Sequence, residues 1–139
     1  MAFPTACLCE NLRRTTRVVT RAYDDALRPL DLRITQFSLL TVLATHGEMR
    51  IRDLARGVLI EETAMLRNLR PLASRGIVTM RTGDDRRERY ASLSDAGKKL
   101  LREAIPLWKS AQKKLQAELP ASTWDVMFKA LPKIADLAA

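Results

Sequence analysis

Aromatic residues are scarce in this chain: two Trp, two Tyr and three Phe among 139 residues. Readers of single-stranded nucleic acid stack bases on aromatic side chains, and most of these seven stand at core-like positions, so that class loses its main support. One histidine, His46, and two cysteines, Cys7 and Cys9, fall short of the three or four ligands of a zinc site. Two thiols are also too few for a disulfide scaffold. The five glycines form no phosphate-cradling loop, and His46 has no evident nucleophile partner, so nothing supports an enzyme and no cofactor is expected. No apolar run approaches the roughly 20 residues that span a bilayer. The opening MAFPTACLCENLRR lacks the charged-then-apolar order of a secretory signal, so the expected location is the cytoplasm.

Positive charge is plentiful. Lys and Arg number 24 against 16 Asp and Glu, a formal net charge of +8. Such a surface seeks a polyanion, nucleic acid ahead of an acidic membrane. Hydrophobic residues reach 47% and are mostly Leu, Ala, Val and Met, which favours helix. The length suits one domain with a real core.

Leu8, Leu12, Thr15, Val19, Ala22 and Ala26 recur at spacings of four and three, one narrow seam on a long helix ending near Pro29. A second helix starts near Thr35, buries Phe37, Leu40 and Leu43, and stops at Gly47, a residue suited to a left-handed cap. A short helix over 53–58 and a turn over 59–61 lead to a helix over 62–75, whose buried face is Met65, Leu69 and Leu72. Two β-prone segments, 77–81 and 90–93, then flank a turn over 82–89 that is almost wholly charged. Ser94 caps a long helix with apolar positions at Leu101, Ala104, Trp108, Ala111 and Leu115, bent at Pro106. A last helix from 121 buries Trp124, Met127, Phe128, Leu131 and Ile134. The fold class is mainly α with a small β-hairpin. A helix running into an arginine-tipped hairpin is the organisation of a winged helix, which grips duplex DNA.

The chain resembles the MarR family of bacterial winged helix-turn-helix transcription regulators. The resemblance rests on LDLRITQFSLLTVL (30–43), DLARG (53–57), TAMLRNLRPLASRGIV (63–78), DDRRERYASLSDAG (84–97) and the long helix that follows. Asp85-Arg86-Arg87, Leu93-Ser94 and Gly97 are its most specific part. It implies a homodimer on a pseudo-palindromic operator, usually a repressor, released by a small ligand or by thiol oxidation. The DNA-binding winged helix would cover about 31–94, with N- and C-terminal dimerisation helices over about 5–29 and 95–138. The terminal helices independently carry more apolar surface than one protomer can cover, and a two-fold axis would set two reading helices side by side.

With Met65, Leu69 and Leu72 turned inward, Thr63, Leu66, Arg67 and Arg70 project outward. Arg67 could take a guanine edge bidentately, and Thr63 or Leu66 a thymine methyl. Asn68 and Arg70 suit phosphates. The bland alternative leaves Arg67 and Arg70 solvated or paired with Glu61 and Glu62. On the hairpin, Arg86, Arg87 and Arg89 sit on a turn short enough to enter a minor groove. The family pattern implies that Asp85 pairs with and aims an arginine, that Arg87 inserts and that Arg86 holds a phosphate. The sequence departs from that pattern at Leu59, where a turn glycine is usual, at Ala64 and Leu66, where hydroxyl residues are common, and at Glu61 and Glu62, which suit the helix dipole but repel phosphates.

Cys7 and Cys9 point about 200° apart on a helix, so they cannot share a disulfide or one metal unless the N-terminus unwinds. A disulfide to a partner subunit, a reactive thiol near Arg13 and Arg14, or two small residues at the edge of a seam remain. By position, Arg17, Phe37, His46 and Trp108 are candidates for a small-molecule effector site, with plain core or surface roles as the alternative. Two other functions stay open, a general basic nucleic-acid binder and an interaction protein of the same fold without operator specificity. No membrane partner is expected.

Overall fold

The computed structural model describes residues 6–138. Helix α1 (Leu8–Leu27) passes through a 3-10 turn (Arg28–Leu30) into α2 (Ile34–His46). Pro29 sits in that turn, just past the end of α1. Strand β1 (Met49–Arg50) leads into α3 (Ile51–Gly57) and α4 (Glu62–Ser74). Strands β2 (Val78–Thr82) and β3 (Arg89–Leu93) precede α5 (Asp95–Ala117), α6 (Ala121–Ala135) and a final 3-10 turn (Asp136–Ala138).

Local chemistry sets these boundaries. The Ile34 backbone N–H, free at the start of α2, donates to Asp24 Oδ1 at 2.8 Å and so ties the helix to α1. Gly47, at φ +74°, closes α2 with its N–H on the Leu43 carbonyl at 2.9 Å. The Ser94 hydroxyl accepts from Gly97 N–H at 3.0 Å, an N-cap as expected, and α5 runs without a break through Pro106. Leu59 holds the left-handed conformation at φ +58° in the turn before α4.

The sheet is antiparallel with order β1-β3-β2. The sequence announces only a two-stranded hairpin; β1 adds a third strand of two residues, too short to leave a period-two pattern. In this register Ala91 lies opposite both Met49 and Met80, and Tyr90 opposite both Arg50 and Arg81. Residues directly opposite share a face. One face of the sheet therefore closes the core at Ala91, and the other carries a Tyr90 flanked by two arginines.

The core gathers Leu40 and Leu43 of α2, Ile51 and Leu54 of α3, Met65, Leu69 and Leu72 of α4, Val78, Ala91, and Leu101 and Ala104 of α5. Phe37, Leu40 and Leu43 are buried as their spacing predicts, and so are the three apolar positions of α4. Phe37 stacks on Trp108 with ring centroids 5.7 Å apart.

Within a single chain both terminal helices leave most of their apolar stripes uncovered, the surplus expected of them, but the face of α1 that is buried is not the expected seam. Only Tyr23 and Leu27 of α1 are buried, a face beside the expected seam. Leu8 and Thr15 of that seam are exposed, and Leu12, Val19, Ala22 and Ala26 are half-covered. The reason is positional: α1 meets α2 and α5 through its C-terminal half, where the Tyr23 hydroxyl donates to Gln112 Oε1 on α5. No residue of α6 is buried; Phe128 and Leu131 are exposed, and Trp124, Met127 and Ile134 are half-exposed. Along this helix Trp124 and Phe128 stack on each other, with centroids 4.7 Å apart.

Candidate nucleic-acid interface

Helix α4 buries Met65, Leu69 and Leu72 and turns Thr63, Arg67 and Arg70 to solvent. Those three are spaced four and three apart and so form one outward stripe. Neither Arg67 nor Arg70 has an ion pair among the described residues, and Glu61 and Glu62 do not hold them. Two of the predicted readers stand differently. Leu66, one residue past the buried Met65 and so on the flank of the helix, is half-buried against the core. Asn68 is half-buried and donates one N–H of its side-chain amide to the Ala64 carbonyl at 2.9 Å, which turns part of that group back onto the helix.

The wing is shaped at its tip by Asp85. Its carboxylate accepts the Arg87 backbone N–H at 3.0 Å, and its carbonyl accepts Glu88 N–H at 2.9 Å. The expected pairing with an arginine side chain is therefore replaced by a turn bond to the backbone. The turn aims Arg87 through its main chain. Arg86, Arg87 and Arg89 are all exposed, with no ion pair among the described residues.

The base of the wing carries a network that pairing across β1 creates. Arg81 binds the Glu48 carboxylate with two guanidinium nitrogens, Nε at 2.9 Å, and lies over the Tyr90 ring at 4.3 Å. The Arg81 hydrogen bond holds the Glu48 carboxyl below its usual range. Arg50 donates from Nε to the Tyr90 hydroxyl at 3.2 Å and pairs with Glu88 at 3.2 Å. The same hydroxyl donates to Glu88 Oε2 at 3.1 Å. A Cβ at Gly83 would lie 2.8 Å from Tyr90 Cε2, so a larger residue there would have to displace the ring. Arg50 and Arg52 meet Arg87 and Arg89 around a cleft of about 200 Å³ that reaches Glu62 at the start of α4. The sequence reading missed the network and the cleft: Glu88 stands just before β3, two residues from Tyr90, but nothing in the sequence brings β1 alongside that strand.

The effector candidates do not form one site. Cys9 and Arg17 line an open groove of about 510 Å³ on α1 with Leu8, Leu12, Arg13 and Thr16. Arg17 also pairs with Glu10 at 3.5 Å. Phe37 and Trp108 face each other in a stack instead, and the exposed His46 stands about 13 Å along α2 from Phe37. Cys7 and Cys9 are free and exposed. Cys7 is the extended N-cap residue of α1, and its carbonyl accepts Asn11 N–H at 3.1 Å. No group of three or more His, Cys, Asp or Glu among the described residues could hold a metal. None of the described helices is long and apolar enough to cross a membrane.

A helix-turn-helix pair, α3 and α4, followed by a basic hairpin, defines a winged helix-turn-helix protein of the DNA-binding class. The chain belongs to the MarR family: the family profile matches residues 32–88. The M. tuberculosis transcriptional regulator MosR, solved in complex with DNA, is 32% identical, with 95% of this chain and 98% of that chain covered and a TM-score of 0.81. The Bacillus subtilis protein YwoH, an uncharacterized HTH-type transcriptional regulator, is 25% identical over 103 residues, 74% of this chain and 75% of that protein. A mutant MarR from E. coli, complexed with operator DNA, shares the fold at 21% identity and a TM-score of 0.82, covering 91% and 92% of the two chains. The chain is thus a MarR-family transcriptional regulator and not an enzyme.

Proposed function

We propose that the chain works as a homodimeric, sequence-specific repressor in the cytoplasm. Two copies bind a pseudo-palindromic operator, and a small ligand or thiol oxidation releases them. The observation that carries the proposal is the pairing of an unpaired cationic line with unpartnered apolar ends. Thr63, Arg67 and Arg70 on α4 and Arg86, Arg87 and Arg89 on the wing form the line, with Asp85 setting the wing tip. The winged-helix segment, about 31–94, reads DNA, and the helices on either side, about 5–29 and 95–138, join the two copies.

Of nine large apolar side chains exposed among the described residues, seven lie toward the ends of the chain: Leu8, Val18, Leu119, Val126, Phe128, Leu131 and Leu137. So many large apolar side chains left in water toward the ends of the chain favour a second copy as their cover. A dimer places α4 and the wing of each copy on successive turns of one duplex, α4 in the major groove and Arg87 in the minor groove. The DNA complex of MosR supports the nucleic-acid side of this reading. The exposed thiols of Cys7 and Cys9, and the groove beside Cys9, are where oxidation or a ligand would alter how two copies pack. A shift in the spacing of the two α4 helices is enough; coupling of about 1–3 kcal/mol weakens operator binding by up to roughly 150-fold.

Selection of genomic fragments by the purified protein, followed by gel shift in a salt series, tests the proposal. Recovered sites with dyad symmetry support it. Uniform binding of all fragments favours a general nucleic-acid binder, and no binding favours an interaction protein; either result rejects the operator reading.

A further inference from the structure

We infer that Glu88 is a built-in stand-in for a DNA phosphate: it occupies Arg50 in the free protein, and a phosphate takes Arg50 from it when duplex DNA binds. The inference rests on the proposed DNA-binding role and adds an affinity-setting pair to it. The cleft between the wing and the start of α4 opens beside the two elements that must face DNA, and four arginines line it. Arg52, Arg87 and Arg89 have no ion pair among the described residues, whereas Arg50 is held by Glu88 at 3.2 Å. A carboxylate on a guanidinium makes the same charge-assisted contact as a phosphate oxygen.

Three features make an exchange feasible. The pair is accessible to an incoming anion, since its side chains are 51% and 34% exposed. Exposed ion pairs of this kind hold weakly, and a duplex brings a dense row of phosphates whose counterions are released on contact. Tyr90 is also placed to keep both partners in position, because its hydroxyl accepts from Arg50 Nε and donates to Glu88. Arg81, stacked on the opposite side of the same strand register and pinned to Glu48, fixes the Tyr90 ring itself. Arg50 can therefore turn from carboxylate to phosphate without rebuilding the base of the wing. Glu88 makes DNA binding weaker than the arginine count implies.

The test is fluorescence anisotropy with a labelled duplex of about 30 base pairs, long enough for two half-sites one helical turn apart, across a salt series. Wild type, Glu88→Gln, Arg50→Ala and the double variant are compared as full chains. Gln keeps the size of Glu and an oxygen for the Tyr90 hydroxyl. Glu88→Gln should bind about three- to tenfold tighter at low salt, and Arg50→Ala should flatten the log–log salt slope by about 0.9 for the phosphate contact it loses. The double variant should lose that gain, which separates release of Arg50 from a general loss of negative charge. If wild type binds and Glu88→Gln leaves affinity unchanged or weakens it, or Arg50→Ala leaves the slope unchanged, the inference is overturned alone. A gain that survives in the double variant also overturns it. A wild-type chain that binds no duplex at any salt overturns the functional reading and this inference together.

Discussion

Replacing Gly97 with alanine should destabilise the protein although the residue lies inside a helix. A Cβ at this position would sit 2.2 Å from the Ile77 carbonyl oxygen and 3.1 Å from Leu93 Cδ2. Backbone, not a flexible side-chain tip, blocks it, so β2 and α5 must separate by close to 1 Å to reach an ordinary contact of about 3.2 Å. The same Ile77 oxygen accepts the Ser94 backbone N–H at 3.1 Å and lies 2.9 Å from the Ser94 hydroxyl. That hydroxyl oxygen in turn caps Gly97 N–H. Separation therefore costs about 1 kcal/mol for the cap and about 2 kcal/mol for overpacking, against a gain of about 1 kcal/mol in helix propensity. The net is about 2 kcal/mol. With an unfolding entropy of about 0.3 kcal/mol/K for a chain of this length, Tm should fall by about 7 °C. Gly57 supplies the control: it ends α3, its φ is not positive, and a Cβ there meets nothing within 4 Å. Gly57→Ala should raise Tm slightly, by roughly 2 °C. Thermal melts by circular dichroism at one fixed protein concentration compare the three proteins. A Gly97→Ala variant that melts at or above wild type would refute the close approach of β2 and α5.

Leu59→Asn should raise Tm by roughly 3 °C, because asparagine tolerates the left-handed conformation that costs leucine about 1 kcal/mol. The Leu59 side chain is 58% exposed, so its loss leaves no cavity; an unchanged or lower Tm would contradict the strain argument. Phe128→Asp with Leu131→Asp should convert a dimer into a monomer, because both exposed side chains lie on the α6 face assigned to the partner. Light scattering after gel filtration checks this: wild type should give twice the 15.7 kDa chain mass, and the variant a single chain. A wild type of single-chain mass would remove the partner.

Much of the fold was legible because each core helix advertises one face. Met65, Leu69 and Leu72 mark the inside of α4, and Gly76 and Ser94 punctuate the hairpin on either side. The resemblance carried by Asp85-Arg86-Arg87 and Gly97 pointed to the right family, and Gly97 owes its place to the Ile77 carbonyl. What was hidden depends on partners distant in sequence. A two-residue strand has no periodicity, so Arg50 could not be placed beside Glu88 and Tyr90. The apolar stripe of α1 reads as one seam, yet Tyr23 and Leu27 on the neighbouring face are what α5 and α2 cover. The spacing of α6 correctly marks an apolar face, and the surplus of apolar surface expected of the terminal helices is what the described residues leave uncovered there. On α4 itself, periodicity separated inside from outside but not an exposed flank from a half-covered one, which is why Leu66 and Asn68 stand apart from Thr63, Arg67 and Arg70.

The most direct measurement is the salt dependence of duplex binding for wild type against an Arg86→Ala/Arg87→Ala variant whose melt is unchanged. If the wing grips phosphates, the log–log slope should flatten by about 0.9 for each arginine that had neutralised one, with a matching loss of affinity. Binding with the same slope and affinity as wild type would contradict the wing's role.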